Sequence, residues 1–203
     1  MLDNLIPLIL FCFGMTVTPG PNNIIMTATG ANHGYRASLP HILGATLSIP
    51  VMCVLVGVGL GQLILLYPPA HTALNLAGSA YLLWLAWKIA NFSGTVDGKA
   101  AGQPLTFMQA VVFQWLNPKC WMMYIGAVSM FTTSGGNIFW QVTVIATVFT
   151  VMVPPCFSFW SLAGVGVGRF LTSPGRRRAF NLTLALLLVA SLVLAQLPQG
   201  QVG

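Results

Sequence analysis

The feature of this sequence that most constrains its fold is the scarcity of charged side chains. Charged residues make up 5% of the 203 residues, there is no Glu, and the acids are Asp3 and Asp97. An ordinary soluble domain has about 25% charged residues. Lipid as the surrounding solvent explains such a composition. The net charge of +6 rests on a few residues in short loops, which does not indicate a nucleic-acid partner.

The apolar residues form long runs that predict an all-α integral membrane protein with six transmembrane helices. Each run reaches the roughly 20 residues needed to cross the hydrocarbon core. The N-terminus lacks a basic segment and an A-x-A cleavage site, so the first run is expected to stay in the mature protein. Pro50 in the second run and Pro154-Pro155 in the fifth should kink or locally unwind those helices. The predicted spans are Leu5–Met26, Leu39–Leu66, Thr72–Asn91, Leu105–Phe131, Ile138–Gly168 and Ala179–Leu197.

The basic residues predict the orientation of these spans. Arg36 follows the first span, Lys88 and Lys99 flank the loop after the third, and Arg169 with Arg176–Arg178 follow the fifth. The loops on the other side contain no lysine or arginine. By the positive-inside rule, the three basic connections are cytoplasmic and both termini lie outside.

Three matched motifs predict an internal repeat. Glycine-rich segments at 56–61 and 163–168, Asn75-Leu76 and Asn181-Leu182, and Thr18-Pro19 and Asn117-Pro118 each recur about 100 residues apart, in the same order. Three spans separate each pair, so the two halves would insert in opposite directions, as in many transporters. We therefore expect a single transmembrane domain over 1–203, with a first repeat at 1–91, a cytoplasmic loop at 92–104 and a second repeat at 105–203.

The first span contains a stretch, Thr18-Pro19-Gly20-Pro21, that cannot form a continuous helix. Its two prolines remove backbone donors and free the carbonyls of Met15 and Val17. A second helical piece can begin at Pro19 with Thr18 as its N-cap, or at Pro21. In either case its unpaired N–H groups carry the positive end of a helix dipole.

The fourth span has a matching break at Asn117-Pro118-Lys119. Asn followed by Pro is a favourable N-cap and first helical residue, and Pro118 frees the carbonyl of Gln114. At ~1.5 Å per residue, both breaks fall within about 5 Å of the middle of the bilayer. Irregular backbone at that depth is tolerated only where protein or a water-filled cavity surrounds it.

The paired breaks predict a binding site for a small zwitterion. The two helix N-termini and the Lys119 ammonium would attract a carboxylate. The freed carbonyls and the Asn22 and Asn23 amides would accept an ammonium group. In the alternative reading the prolines only kink helices, the asparagines only join helices, and Lys119 is a structural cation that snorkels or binds carbonyls. The predicted substrate-binding residues are Thr18, Pro19, Gly20, Pro21, Asn22, Asn23, Gln114, Asn117, Pro118 and Lys119.

The remaining reactive side chains indicate no catalytic or metal centre. His33, His41 and His71 lie at predicted membrane edges, and only His41 is a candidate proton carrier. The four cysteines form no C-x-x-C pair, so neither a zinc site nor a dithiol motif is expected. We expect no cofactor and no enzymatic activity.

Several motifs together resemble the lysine exporter/threonine resistance family of bacterial amino-acid exporters. They are the segments at 18–22 and 117–119, His33-Gly34-Tyr35-Arg36, and the aromatic segment at 80–88. The segments at 21–23 and 84–90 are most similar to the cysteine/O-acetylserine exporters of that family. The resemblance implies a multi-pass protein of the bacterial inner membrane that exports an amino acid, with proton coupling and a homodimer as further implications.

The predicted spans contain no Asp or Glu, which bears on the substrate. A dibasic amino acid would favour a buried acid, so a small neutral solute fits better. Candidates are cysteine, O-acetylserine, threonine, homoserine and leucine. The alternative function is a membrane thiol–disulfide carrier, which the presence of four cysteines leaves open.

Overall fold

The computed structural model describes residues 4–60, 66–92, 95–96, 99–100, 103–133 and 136–196. This part of the chain is helical apart from one short antiparallel hairpin, in which strand β1 (Thr95–Val96) pairs with β2 (Lys99–Ala100). A 3-10 turn at Tyr35–Ser38 leads directly into α3. The helices are α1 (Leu5–Val17), α2 (Pro21–His33), α3 (Leu39–Gly57), α4 (Pro68–Ala90), α5 (Phe107–Leu116), α6 (Pro118–Phe131), α7 (Ile138–Gly168) and α8 (Pro174–Gln196).

The predicted break in the first span is present between α1 and α2. The two helices meet at an angle of 57°. Helix α2 begins at Pro21 with Gly20 as an extended N-cap, so the alternative start at Pro19 with Thr18 as cap is wrong. Proline at the first helical position loses no hydrogen bond, which explains why the helix restarts at the second proline of the pair.

The break in the fourth span is confirmed at Asn117. Helix α5 ends at Leu116 and α6 begins at Pro118. The Asn117 side-chain oxygen caps α6 by accepting a hydrogen bond from the Lys119 backbone N–H at 3.1 Å. The short helix α5 is fixed at its own start by a capping box between Thr106 and Gln109.

Two expectations about the long spans need correction. Helix α3 ends at Gly57, before the predicted limit of Leu66, and Gly59 in the following turn has a φ of 97°. Glycine adopts that conformation readily and commonly ends helices. Residues 61–65 of the predicted span lie outside the described residues. Helices α3 and α7 also continue through Pro50 and through Pro154-Pro155, so neither helix is unwound there and of the two expected responses only a kink stays a prediction.

Apolar side chains on the outside of the helices identify a membrane protein. On α3, Leu43, Leu47, Val51 and Val54 are all exposed and recur every three or four residues along one face. Within the described residues, Tyr35–Gly57 and Ile138–Gly168 are each long and apolar enough to cross a bilayer, and the bent α1–α2 pair forms a third such segment. Three of the six predicted spans thus meet this test.

Helix α2 lies at the centre of the molecule, between two buried apolar clusters. One cluster packs around Met26, Ile49 and Tyr124, and the other around Ile25, Leu85 and Leu188. Since α2 also begins at the first break, its first turn is enclosed by helices of both halves of the chain.

Helices α2 and α7 cross with their backbones in close contact. A Cβ added at Gly30 would overlap the Ser161 carbonyl, and one added at Gly164 would overlap the Thr27 carbonyl. Only glycine permits this approach. The glycine-rich segment of α7 is therefore a packing surface for α2, unlike the segment around Gly59.

Candidate functional site

The two helix breaks, a hundred residues apart in sequence, meet inside the molecule. The Lys119 ammonium lies 3.2 Å from the Thr18 carbonyl oxygen and 3.2 Å from the Thr18 hydroxyl. Gly20 is buried against the same lysine side chain. The lysine of the second break therefore binds the irregular backbone of the first.

A chain of buried side-chain hydrogen bonds runs through Asn22. Its amide nitrogen donates to Gln114 Oε1 at 3.1 Å, and its oxygen lies 2.9 Å from His41 Nε2. Gln114 in turn donates to the Tyr124 hydroxyl at 3.0 Å. All four side chains are buried. These hydrogen bonds connect α3, α2, α5 and α6, so the replacement of one residue would disturb contacts among four helices.

Beside this chain lie polar atoms that have no partner within the described residues. The Asn23 amide nitrogen donates to the carbonyls of Thr16 and Thr18 at 2.9 and 2.8 Å, but its oxygen is buried and unpaired. The Thr16 hydroxyl and the Asn117 amide nitrogen are also buried and unpaired. The protein thus offers a free acceptor at Asn23 and a free donor at Asn117. Unpaired buried polar groups are costly, so the place where several of them gather is a candidate binding site.

These atoms belong to one cavity between the broken helices. The volume open to the centre of a water molecule is about 20 Å³, which is room for about one water molecule. A solute of amino-acid size can enter only after the walls move apart. The cavity is lined by Met15, Thr16, Gly20, Pro21, Asn22, Asn23, Gln114, Asn117, Lys119, Cys120, Met123, Tyr124, Val153 and Phe157.

Most of the residues predicted for the site line this cavity, whereas Thr18, Pro19 and Pro118 do not. Thr18 contributes indirectly, through its contact with Lys119. The two prolines set the positions at which α2 and α6 begin.

The carbonyls expected to accept an ammonium group are partly used within the protein. The Thr18 hydroxyl donates to the Met15 carbonyl at 3.0 Å, and the Trp160 indole N–H donates to the Val17 carbonyl at 3.3 Å. For Met15 and Val17 that expectation stays a prediction, because each carbonyl oxygen has a second lone pair that can accept a further hydrogen bond. The neighbouring Thr18 and the distant Trp160 already donate to these two carbonyls, and within the protein the Thr18 carbonyl is the one that meets an ammonium.

His41 lies in the interior and not at an edge. Its ring is 2% exposed and packs against Phe113 and Phe157, with centroids 5.9 and 6.4 Å away. The expected edge position followed from starting the helix at Leu39, but the 3-10 turn extends the helical segment back to Tyr35. The ring nitrogen Nδ1 is buried without a partner in the described structure.

Tyr124 is the main site residue that the motif analysis missed. It is fully buried, lines the cavity and ends the hydrogen-bond chain. Its spacing from Asn117 and Cys120, at seven and four residues, places all three on one helical face. That spacing is a signal by which it could have been found.

The four cysteines are all free and buried. Cys12, Cys53 and Cys120 belong to one apolar cluster, and Cys120 Sγ lies 3.8 Å from the Asn22 amide nitrogen. Among the residues that the structure describes, no three His, Cys, Asp or Glu side chains are grouped as metal ligands would be.

Comparison with known proteins gives a consistent result. Residues 13–195 match the family model described as LysE type translocator. The chain is 33% identical to a cysteine/O-acetylserine efflux protein of Escherichia coli strain K12 over 174 residues, which cover 85% of this chain and 87% of the relative. The relative of the same name in Shigella flexneri is also 33% identical with the same coverage, and that of Escherichia coli O139:H28 is 32% identical. No solved structure matches the chain significantly.

Proposed function

The chain belongs to the LysE type translocator family, and on this premise we propose that it exports a small neutral amino acid or amino-acid derivative from the cytoplasm. It is a transporter and not an enzyme. The observation that carries the proposal is the cavity at the two helix breaks, where a lysine and unpaired amide groups converge. The names of the relatives favour cysteine or O-acetylserine as the solute.

The polar groups of the cavity suit the two charges of an amino acid. The Lys119 ammonium, the unpaired Asn117 amide nitrogen and the N-termini of α2 and α6 would bind the carboxylate. The unpaired Asn23 oxygen would accept a hydrogen bond from the solute's ammonium. When the carboxylate binds, Lys119 would leave Thr18 and free its carbonyl for the ammonium as well.

The rest of the cavity wall favours a small side chain without charge. Met15, Met123, Val153 and Phe157 form the apolar part of the wall. Asp3 and Asp97 lie outside the described residues, so the described structure has no acidic side chain to balance a dibasic solute. These features support cysteine, O-acetylserine, threonine, homoserine or leucine over lysine or arginine.

We further propose six spans arranged as an inverted three-plus-three repeat. The broken span α1–α2 packs on α7, and the broken span α5–α6 packs on α3; α4 packs on α8. If each of the first three spans is exchanged for its counterpart among the last three, the same pairs of spans remain in contact, as an inverted repeat requires. The proposed repeats are 1–91 and 105–203 of one transmembrane domain, joined by a cytoplasmic loop at 92–104.

The proposed setting is the bacterial inner membrane, with both termini outside. The positions of Arg36, Lys88, Arg169 and Arg176–Arg178 support this orientation, since they lie at ends of helices that share one side in the six-span arrangement. Family resemblance alone supports a homodimer in the lipid bilayer.

Proton coupling is a separate part of the proposal, and His41 is its candidate carrier. The ring contacts Asn22, which also lines the substrate cavity. Protonation of His41 would change the hydrogen bond to Asn22, and through Gln114 the bond to Tyr124. A proton on this ring can therefore alter the shape of the site.

The alternative function, a membrane thiol–disulfide carrier, has less support. Its cysteines would have to meet partner thiols, but all four are buried. The relatives found are efflux proteins.

The test is reconstitution of the full chain in liposomes. Labelled cysteine, O-acetylserine, threonine, homoserine and leucine are supplied one at a time, with and without a pH gradient. We expect saturable movement of at least one solute and faster efflux when the receiving side is acidic. Movement of none of them would overturn the export function, and movement that ignores the pH gradient would overturn proton coupling alone.

A further inference from the structure

A second pocket lies at the opposite end of α2 from the central cavity. Its walls come from the last turns of α2 and α4 and from the segment at 103–105. The volume open to the centre of a water molecule is about 50 Å³ in this pocket and about 20 Å³ in the central cavity. The side chains that matter for its chemistry are Asn32, His33 and Lys88.

Two positively charged side chains, Lys88 and Arg177, lie at or next to this pocket. The Lys88 ammonium lies 4.7 Å above the ring of Trp84 and has no hydrogen bond to any described residue. Arg177 reaches the rim, where it donates to the Asn32 side-chain oxygen at 3.3 Å and to the Ala31 carbonyl at 3.4 Å.

These charges have no balancing acid in the part of the chain that the structure describes. The two aspartates of the sequence lie outside the described ranges, and there is no glutamate. Arg177 is satisfied by neutral carbonyl and amide oxygens, which leave its charge uncompensated. A pocket lined by one cation and uncharged hydrogen-bonding groups, with a second cation bound to one of those groups, attracts an anion.

The pocket and the central cavity share one face of α2. Asn22, Ile25, Thr29 and Asn32 are spaced three or four residues apart, so they follow one line along the helix. Asn22 lines the central cavity, and the other three line the pocket. At ~1.5 Å per residue, Asn22 and Asn32 are about 15 Å apart along this line.

A buried apolar layer lies between the two. Ile25, Leu85, Leu105 and Phe113 pack in one cluster, and each is at most 5% exposed. A solute in the pocket would be held just outside this layer. Separation of these four side chains would open the way to Asn22.

We propose that this pocket is a second binding site, specific for a small anionic group, at the entrance to the central cavity. The carboxylate of the exported amino acid is the first source of that group, and this assignment rests on the proposed export function. The phosphate of an anionic lipid is the second source, because basic pockets between membrane helices also bind such head groups. Lys88 supplies the charge, and His33 and the second N–H of the Asn32 amide supply polar contacts. The first N–H of that amide donates to Asn181 Oδ1 at 2.8 Å.

Trp84 provides a direct readout of the pocket, since Lys88 lies over its ring. The full chain is placed in nanodiscs of phosphatidylcholine, and the emission of Trp84 is obtained as the difference between the natural protein and Trp84→Phe. Reduced L-cysteine is titrated, with L-cysteine methyl ester as the matched probe that lacks a carboxylate. We expect a saturable change with cysteine and none with the ester.

Variants then assign the site. Lys88→Gln should remove the cysteine-dependent change and raise the half-saturation concentration of transport severalfold, whereas Lys88→Arg should retain both. Arg176→Gln is the matched control, because Arg176 is exposed and its side chain has no hydrogen bond to any described residue. An unchanged signal in Lys88→Gln, or no carboxylate-dependent signal in the natural protein, would overturn the site.

Two further arms separate the sources and the proposals. If phosphatidylglycerol in the nanodisc alone produces the Trp84 change and blocks that of cysteine, the pocket belongs to lipid phosphate. A protein that shows the Trp84 signal but moves no amino acid would contradict export and leave the pocket standing. A Lys88→Gln variant that transports with unchanged half-saturation would remove the entrance site and leave export standing.

Discussion

Lys119, at the break of the fourth span, lies 3.2 Å from both the carbonyl and the hydroxyl oxygen of Thr18, at the break of the first. A helix break exposes carbonyls with no partner, and an ammonium is a strong donor to them. The same ammonium is the cation proposed to bind the solute carboxylate. On this proposal Lys119 would have two competing partners, Thr18 of the protein and the solute.

Replacement of Lys119 by Gln should reduce transport much more than replacement of Thr18 by Val. Gln removes the charge that the carboxylate needs, whereas Val removes only the hydroxyl and leaves the Thr18 carbonyl in place. Initial rates in proteoliposomes measure both effects, with Arg178→Gln, an exposed arginine, as the control. Equal rates for Lys119→Gln and the natural protein would place the carboxylate elsewhere.

Asn22→Leu should destabilise the protein as well as stop transport. The change leaves His41 Nε2 and Gln114 Oε1 buried without partners, at a cost of about 1–3 kcal/mol for each group. Thermal unfolding in detergent should show a lower midpoint than for Asn91→Leu, which alters an exposed asparagine. Equal thermal midpoints for the two variants would mean that the hydrogen bonds of Asn22 to His41 and Gln114 contribute nothing to stability.

His41→Gln tests proton coupling without removing the hydrogen bond, because the Gln amide can still donate to the Asn22 oxygen. The residues seen to contact the His41 ring are Asn22, Phe113 and Phe157, none of which titrates. We expect downhill movement of the solute to persist while acceleration by a pH gradient disappears. A variant that still responds fully to the gradient would exclude His41 as the carrier.

A variant with Ala at all four cysteines should retain transport. Cys12, Cys53 and Cys156 are small buried side chains, and Cys120, which lines the cavity, makes only a long 3.8 Å contact with the Asn22 amide nitrogen; none of the four is bonded to another. Some loss of thermal stability is expected from the lost volume, but the half-saturation concentration should stay close to that of the natural protein. Loss of transport in a correctly folded variant would revive the thiol–disulfide alternative.

Gly30→Ala should disrupt the packing of α2 on α7. The added methyl group would overlap the Ser161 backbone, which cannot move aside as a flexible side chain can. Gly166→Ala on α7 is the matched control, because nothing lies within 4 Å of its added Cβ. Folded yield and thermal midpoint should fall for Gly30→Ala alone; an equal loss in both variants would mean that any added methyl group is harmful.

Local chemistry made the helix breaks predictable from sequence. Proline cannot donate, and Asn117 before Pro118 is a strong cap, so both breaks follow from backbone physics alone. The end of α3 was harder to predict, because Leu60 is again apolar directly after the turn at Gly59. Hydropathy measures how apolar a segment is and does not reveal a turn within it.

The partners of the site residues depended on tertiary structure. Nothing in the order of residues indicates that Trp160 would satisfy the Val17 carbonyl, or that His41 would meet Asn22. Both contacts arise because α7 and α3 pack against the first break. The sequence predicted which backbone groups would be freed, while packing decided which of them remained available.

The contact between Lys119 and Thr18 also bears on the return half of the transport cycle. A carrier that reorients after releasing its cargo must not leave the hydrogen-bond donors of an intramembrane ammonium without acceptors. The Thr18 oxygens accept hydrogen bonds from Lys119 within the protein. The unloaded carrier could therefore return to its starting orientation without first binding a solute on the other side of the membrane. Such a carrier should sustain net flux into a medium free of amino acids and should not be restricted to one-for-one exchange.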